Sequence, residues 1–247
     1  ITKRNLRIDK MKKTIIVMPV ANEGATMQHV IDEIMALPYD NLYLYPVIDS
    51  FSTDNTEQII REAEILYNHR VKCLYYKKST GMISCYLYGF HVALKDGAQQ
   101  IIEMDGGGSH DPKELPLFMD ALEEGYDCVW SSRFMQGGEE KQVLWYRRLL
   151  SKGGTWIANL FLGTRLSDMT SGYEAFQADV LSDFYLSRFL SKGHMYQTEM
   201  RYYCRKYSYK EVPIHYTGGK SSLKFKSVID AVSVLFRLRK NEKRVRR

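Results

Sequence analysis

Three short polar segments of the 247-residue chain carry side chains suited to holding a charged, hydroxyl-rich ligand. The first is Pro19-Val20-Ala21-Asn22-Glu23, the second runs from Asp49 to Thr56, and the third from Asp105 to Pro112. Carboxylates accept hydrogen bonds from a base or a ribose, and a divalent cation or an arginine balances a diphosphate. One acidic turn alone has a local explanation, because Asp and Asn favour turns and helix caps. Three of them after successive strands would converge on one cleft, and that joint placement points to a nucleotide. His110, next to a helix start, reads either as a base or ligand or as a side chain satisfied locally.

The elements between these segments supply the convergence. Thr14 to Val20 (TIIVMPV) has the length and β-branched content of a buried strand, and Ala25 to Leu37 follows with apolar residues at helical spacing: Met27, Val30, Ile31, Ile34 and Met35. Leu42 to Ile48 reads as a second strand, with Pro46 arguing against a central place, and Thr53 or Asp54 caps a helix through about Tyr67. Val71 to Tyr76 and Met82 to Leu94 form the third strand and helix. Gln99 to Met104 is the fourth strand, and Cys128 to Ser131 the fifth. Asp111-Pro112-Lys113-Glu114 has the order of a helix start, with a capping acid, Pro first and Glu third. This alternation predicts an α/β fold with a mostly parallel, Rossmann-like sheet flanked by helices, whose ligands sit at the carboxyl ends of the strands.

Charge is concentrated at one end. The chain carries 35 Lys and Arg against 29 Asp and Glu, a net +6, and the last eleven residues alone hold seven Lys or Arg and one Glu, also +6. A near-neutral body with a basic tail argues against nucleic acid and for an anionic membrane surface as partner. Val228, Ala231, Val232, Leu235 and Leu238 fall on one helical face leading into that tail, which reads either as core or as an interfacial helix. Four scattered cysteines, with no C-x-x-C, indicate neither zinc nor disulfides and read as reduced intracellular thiols. No stretch reaches the about 20 apolar residues of a spanning helix. The expectation is a protein peripheral to the cytoplasmic face of a membrane, with an arm or appended remnant over 1–13, one domain over 14–225, and an amphipathic helix and basic tail over 226–247. The first strand is not followed by G-x-G-x-x-G, which removes the specific support for a dinucleotide-dependent oxidoreductase.

The same segments resemble family 2 glycosyltransferases, above all those acting on polyprenyl phosphates. Pro19 to Glu23 is similar to that family's first nucleotide-binding turn, and Ile48 to Thr56 (IDSFSTDNT) resembles its V-D-D-G-S-T-D-G-T. Glu103 to Pro112 (EMDGGGSHDP) resembles M-D-A-D-L-S/Q-H-D-P. Ser131-Ser132-Arg133-Phe134 with Gly137-Gly138, Trp145 to Ser151 (WYRRLLS), Asp168 to Tyr173 (DMTSGY), Gly193 to Glu199 (GHMYQTE) and Glu211 to Ile214 (EVPI) continue the match in order, from about Thr14 to Leu223. The resemblance implies a GT-A fold and inverting transfer of a hexose, mannose or glucose, from GDP or UDP to a polyprenyl or dolichyl phosphate.

It also implies roles. Pro19, Ala21, Glu23, Ile48, Asp49, Asp105, Gly106, Gly107, Arg133 and Lys220 would bind the nucleotide-sugar. Arg147, Arg148, Ser151, Ser171, Gln197 and Glu199 would receive the acceptor. Arg133 and Asp105 would serve the leaving diphosphate, and Asp168, then Glu199, would be the base if the acceptor were a hydroxyl. Two departures bear on this. Gly107 stands where the family has the second acid of D-x-D, so Mg2+ or Mn2+ would rest on Asp105 alone. Tyr216 to Leu223 lacks the family's late Arg and has Ser222 at its Lys position, leaving Lys220 or Lys224 to compensate. A same-fold transferase to a glycan or other hydroxyl, and a nucleotide-sugar-binding protein with weak catalysis, are the alternatives.

Overall fold

The computed structural model describes residues 12–182, 189–191, 193, 195–218 and 231–240. The parts of the expected tail at 226–230 and 241–247, and Lys220, Ser222 and Lys224, lie outside the described residues.

Seven strands form the main sheet: β1 (Thr14–Val20), β2 (Leu42–Asp49), β3 (Leu74–Tyr76), β4 (Gln100–Glu103), β5 (Cys128–Ser132), β7 (Glu174–Gln177) and β8 (Tyr209–Pro213), in the order β3-β2-β1-β4-β7-β5-β8. All pairs are parallel except those of β7, which runs antiparallel to both β4 and β5. The start of β7 therefore lies at the same sheet edge as the ends of its neighbours. A two-stranded sheet, β6 (Glu139–Lys141) with β9 (His215–Thr217), crosses that edge.

Strand alternation sends the two faces into different cores. Ile16, Met18, Leu44, Ile48, Ile102 and Val129 pack with α1 (Met27–Met35), α2 (Thr56–Leu66) and α4 (Leu115–Glu123). Ile15, Val17, Val47, Ile101, Trp130 and Phe176 pack with α3 (Met82–Lys95), α5 (Trp145–Leu162), α6 (Ala178–Leu181), α7 (Met195–Tyr203) and the helix at 231–240. The result is three layers, helices on both sides of a mostly parallel sheet. Helix α3 lies closest: a Cβ at Gly89 would come within 2.3 Å of Val17 Cγ1, so this glycine is what lets the helix backbone settle onto β1.

Several expected boundaries move for local reasons. The Glu23 carbonyl accepts from both Thr26 and Met27 N–H, a turn that delays α1 to Met27. Pro46 does not push β2 to the edge. Leu44 bonds to residues 70 and 72 on the β3 side, so by alternation Pro46 turns its missing N–H to the same side, where the β3 ladder lapses between Val71 and Leu74. At Asp111 only half of the capping arrangement forms. Asp111 accepts from Lys113 N–H in a 3-10 turn (Pro112–Glu114), but Glu114 turns away and accepts from His215 N–H at 2.6 Å. In the helix at 231–240 the buried side chains are Val234, Leu235 and Leu238, while Val232 is exposed, so the core-facing stripe is rotated from the one expected.

Candidate functional site

The loops after β1 and β2 are sewn together. Asn22 sits at φ 58°, a left-handed conformation Asn tolerates, and its Oδ1 accepts from Thr53 N–H (2.9 Å) and Asp54 N–H (3.2 Å). In return the N–H groups of Asn22, Glu23 and Gly24 donate to Ser52 Oγ, Thr56 Oγ1 and Asp54 Oδ2. Ser52 to Thr56 thus shapes the loops, and Asp49 is the acid left at the strand end. It is buried, with Oδ1 accepting from Phe51 N–H at 3.1 Å and Oδ2 facing Cys85 Sγ at 3.8 Å. Pro19 is half-buried and Ala21 exposed beside it. The Ile48 side chain belongs to the core, so only its main chain is available to a donor.

Helix α3 joins this corner to the end of β4. Next to Cys85, Tyr86 donates its hydroxyl to Asp105 Oδ1 at 3.1 Å, so consecutive residues of one helix touch the acids of two strands that flank β1. The Asp105 side chain is 40% exposed. Its N–H donates to His110 Nδ1 at 3.2 Å, which places the ring proton on Nε2, 3.9 Å from Asp105 Oδ2. Burial lowers the His110 pKa, with Asp105 opposing, and the ring stacks on Tyr173 at 4.8 Å. His110 is a neutral support for Asp105 rather than a free base. Gly106 is packed tightly, since a Cβ would reach within 2.6 Å of Val20 Cγ1. Gly107 is exposed, and its missing side chain faces Glu23, whose Oε1 lies 3.3 Å from where a Cβ would stand.

Among the described residues no three His, Cys, Asp or Glu cluster closely enough to hold a metal by themselves. The donor set is the half-exposed carboxylate of Asp105 with the Glu23 carboxylate across the Gly107 gap. That set fits an oxygen-seeking Mg2+ or Mn2+ that completes its shell with the donor's phosphates, not a protein-only cage.

The other half of the sheet brings Arg133 and Asp168 to the same edge, but paired with each other. Asp168 Oδ2 accepts from Arg133 Nε at 2.7 Å and Oδ1 from Nη2 at 3.0 Å; Thr170 N–H adds a bond at 2.9 Å. Burial raises the Asp168 pKa, and Arg133 together with Arg201 and the Thr170 N–H more than reverses it, leaving the carboxyl below its ordinary value. Arg133 Nη1 lies 3.3 Å from Glu140 Oε1, and Glu140 Oε2 lies 3.5 Å from Arg148 Nε. These Glu140 contacts are ion pairs without hydrogen-bond geometry. The chain Asp168–Arg133–Glu140–Arg148 is charge-balanced, which corrects two expectations: Asp168 has no lone pair free to act as base, and Arg133 is not an unpaired cation at the diphosphate. Glu199 is corrected likewise. Fully buried, it accepts from Leu190 N–H, Ser191 N–H, Ser191 Oγ and Tyr203 Oη at 2.6 to 2.9 Å, so its oxygens are taken up by internal donors and it orders 190–191.

Ser171 is also inward, its hydroxyl bonded to Ser131 and its carbonyl accepting from Arg201. Gln197 is buried under Gly172, where a Cβ would meet Nε2 at 3.1 Å. Arg147 and Ser151 on α5 are half-buried, next to exposed Arg148. Lys220 lies outside the described residues. Two shallow hollows of about 500 Å3 run along α2, lined by Glu57 and Arg61 among others. Neither is lined by Asp49 or Asp105, and the strand ends are the candidate site because the acids and their donors gather there.

Sequence reasoning missed Tyr86, Glu140 and a buried acid pair. Tyr86 follows the spacing of core residues in α3 and carries no separate signal. Glu103, at the end of an apolar strand, does: period-two alternation puts it on the face of Ile101. It stands opposite Glu174 in the β4–β7 register, both fully buried. Tyr196 Oη donates to Glu103 at 3.1 Å, and Arg201 Nη1 is 2.9 Å from Glu174. Burial, then the Glu174 charge, push Glu103 well above its ordinary value; burial pushes Glu174 to about 8, with Arg201 opposing. One cation serves two acids, so the pair retains a proton at neutral pH. The unfolded chain loses that proton near 4.5, hence stability falls as pH rises from 4.5 toward about 8. Glu103→Gln keeps the Glu174–Arg201 pair and removes the Glu103 share of this slope, leaving the share that burial of Glu174 contributes. Urea midpoints of variant and parent should agree near pH 5, and near pH 8 the variant's should be higher; a parent midpoint independent of pH in this window would refute the shared proton.

Comparison with known proteins adds an independent line. Residues 15–185 match the family described as Glycosyl transferase family 2. The polyprenol monophosphomannose synthase of Mycolicibacterium smegmatis is 31% identical over 209 residues, covering 83% of this chain and 78% of that protein. The undecaprenyl-phosphate mannosyltransferase of Micrococcus luteus is 31% identical over 195 residues, covering 77% and 76%. Among solved structures, glucosyl-3-phosphoglycerate synthase from Mycobacterium tuberculosis, in complex with Mn2+, UDP-glucose and phosphoglyceric acid, superposes with a TM-score of 0.67 at 16% identity, over 93% of this chain and 80% of that one. At that identity the likeness speaks to the fold.

Proposed function

The chain belongs to glycosyl transferase family 2, and on that premise we propose that it moves a hexose, mannose in the first instance, from a nucleotide-sugar to a polyprenyl phosphate. Its fold is GT-A and its reaction class glycosyl transfer. Asp49, Glu23 and the main chain around Pro19, Ala21 and Ile48 hold the nucleoside. Asp105, Gly106 and Gly107 face the diphosphate and sugar. Asp105, with Glu23 nearby, would hold Mg2+ or Mn2+ together with the donor phosphates. Such an ion, when bound, offsets the charge that builds on the leaving nucleoside diphosphate.

The acceptor oxygen attacks the anomeric carbon in line, opposite the departing diphosphate, which inverts the configuration. The observation that carries a phosphate acceptor over a hydroxyl is the state of Asp168 and Glu199. Both candidate bases are saturated by internal donors. A hydroxyl nucleophile needs a base within reach, whereas a phosphate oxygen is already anionic. Arg147, Arg148 and Ser151 at the start of α5 are the groups for that phosphate.

No helix among the described residues is long and apolar enough to cross a membrane. The free thiols and the nucleotide-sugar donor support work at the cytoplasmic face, with the acceptor's tail in the bilayer. The test offers the chain GDP-mannose, GDP-glucose, UDP-mannose and UDP-glucose, each radiolabelled, with polyprenyl phosphate and with free sugar acceptors, in the presence of Mg2+ or chelator. Sugar recovered on the lipid phosphate is the expected result. Transfer to the hydroxyl acceptors alone, or donor binding without product, overturns it.

A further inference from the structure

Glu140 is buried where burial gains it little. Its side chain is 1% exposed, yet neither of its oxygens accepts a hydrogen bond among the described residues. Two cations hold it at ion-pair distance, Arg133 Nη1 at 3.3 Å and Arg148 Nε at 3.5 Å. A carboxylate taken out of water without donors is held weakly, because Coulomb attraction alone does not replace its lost hydration. Asp168 shows the contrast. On the same guanidinium it accepts from Nε and Nη2, and Thr170 N–H adds a third bond. Without Glu140, then, Arg133 would stay anchored, and Arg148, 55% exposed, would stay in solvent.

The place that Glu140 fills is built for an anion of larger charge. Arg133 lies over the Phe134 ring at 5.0 Å and over the Tyr216 ring at 5.4 Å, so its plane is fixed while Nη1 stays turned to Glu140. Lys152 lies over the same Phe134 ring at 5.3 Å, which brings a third cation to the pair. A carboxylate offers these groups one negative charge and two oxygens. A phosphate monoester offers about 1.5 to 2 charges and three oxygens. The segment that carries Glu140 is also short enough to turn. Strand β6 is three residues long, as is its partner β9, and it lies between Gly137 at φ 89° and Gln142 at φ 54°. The second is a left-handed conformation that strains a residue with a side chain, and a turn of the strand relieves it.

We infer that Glu140 is an internal stand-in for the acceptor's phosphate: its carboxylate occupies the place between Arg133 and Arg148, and the phosphate enters by displacing it as β6 turns outward. The inference deepens the proposed function and rests on its phosphate acceptor. Its consequence is a threshold. Because the place must first be vacated, the apparent Kd of every anion rises by the same factor. Singly charged phosphodiesters, weak ligands to begin with, then fall out of range, while a doubly charged monoester still binds. Glu140 thereby sets which phosphates the arginines answer to.

The full chain, Glu140→Gln and Glu140→Ala are titrated by calorimetry with geranyl phosphate, a monoester, and with its methyl ester, a phosphodiester on the same hydrocarbon. Both ligands should bind the variants about tenfold more tightly than the parent or better, and by the same factor. If geranyl phosphate tightened much more than its ester, Glu140 would be a fixed neighbour that repels charge in proportion, and displacement would fail. A second measurement needs no variant: saturating geranyl phosphate should quicken amide hydrogen exchange in β6 and β9 of the parent, and unchanged exchange would overturn the turning strand. Equal binding by parent and variants would overturn the part given to Glu140 and leave the phosphate acceptor standing, as would tightening of GDP and UDP alone. If geranyl phosphate bound none of the three proteins, the phosphate acceptor of the proposed function would fall as well.

Discussion

Asp105→Asn lowers kcat/KM by about a hundred- to a thousandfold while the protein stays folded. The side chain sits at the end of β4 and is 40% exposed, so it holds little of the core together. The hydrogen bond its side chain accepts from Tyr86 survives in the amide. What is lost is negative charge at the point where a cation must meet the diphosphate, and removing one group that stabilises developing charge costs about 3 to 4 kcal/mol of activation energy. The departure at Gly107 enlarges the effect, because the neighbouring position carries no second acid to take over. Single-turnover rates with Mg2+ and with Mn2+, alongside a thermal melt, measure it. A loss below about tenfold would mean that the charge on the leaving group is met elsewhere, and the role given to Asp105 would fail.

Arg133→Met destabilises the protein by about 3 to 5 kcal/mol, the cost of leaving buried charge without its partner. The substitution takes the paired cation from Asp168, at 0% side-chain exposure, and leaves Glu140, at 1%, with Arg148 alone. Asp168→Asn strands the arginine and should cost somewhat less, because Glu140 still faces it. Arg133→Lys does not rescue, since a point charge cannot make the two-pronged contact of a guanidinium with Asp168. The pH dependence has the opposite sign to that of the Glu103 pair. Asp168 has its folded pKa lowered from 3.8, so its contribution is complete above that value and disappears as pH falls through the folded pKa. Denaturant titrations of the two single variants and of Arg133→Met with Asp168→Leu make the test. If Arg133→Met unfolded at the parent's midpoint but lost donor binding, Arg133 would be the diphosphate cation that the sequence suggests.

The strand ends were legible because their signals are local. A β-branched run, an acidic turn and an amphipathic helix can each be read within a dozen residues, and the right-handed crossover rule then places successive turns along one edge. Asp49 and Asp105 needed nothing more to be brought together. Strand β7 was not legible: Glu174–Gln177 is four residues long and begins with a charge, and only pairing with β4 and β5 makes it a strand.

The sequence by itself determined the family, the alternation of strands and helices that makes the sheet mostly parallel, the neutral body with its basic end, and which loops carry the acids. Tertiary structure decided what those acids and cations do. Arg133 and Asp168 are 35 residues apart, and whether each faces a ligand or the other depends on how two loops meet, which no local pattern records. Glu199 and His110 became supports for the same reason, their partners being fixed by packing. Helix α5 is apolar on most sides, so its periodicity could not say which side is buried. The sheet accepted the face of Thr155 and Ala158 because small side chains let the helix pack closely, and that choice left the tryptophans and leucines to face outward.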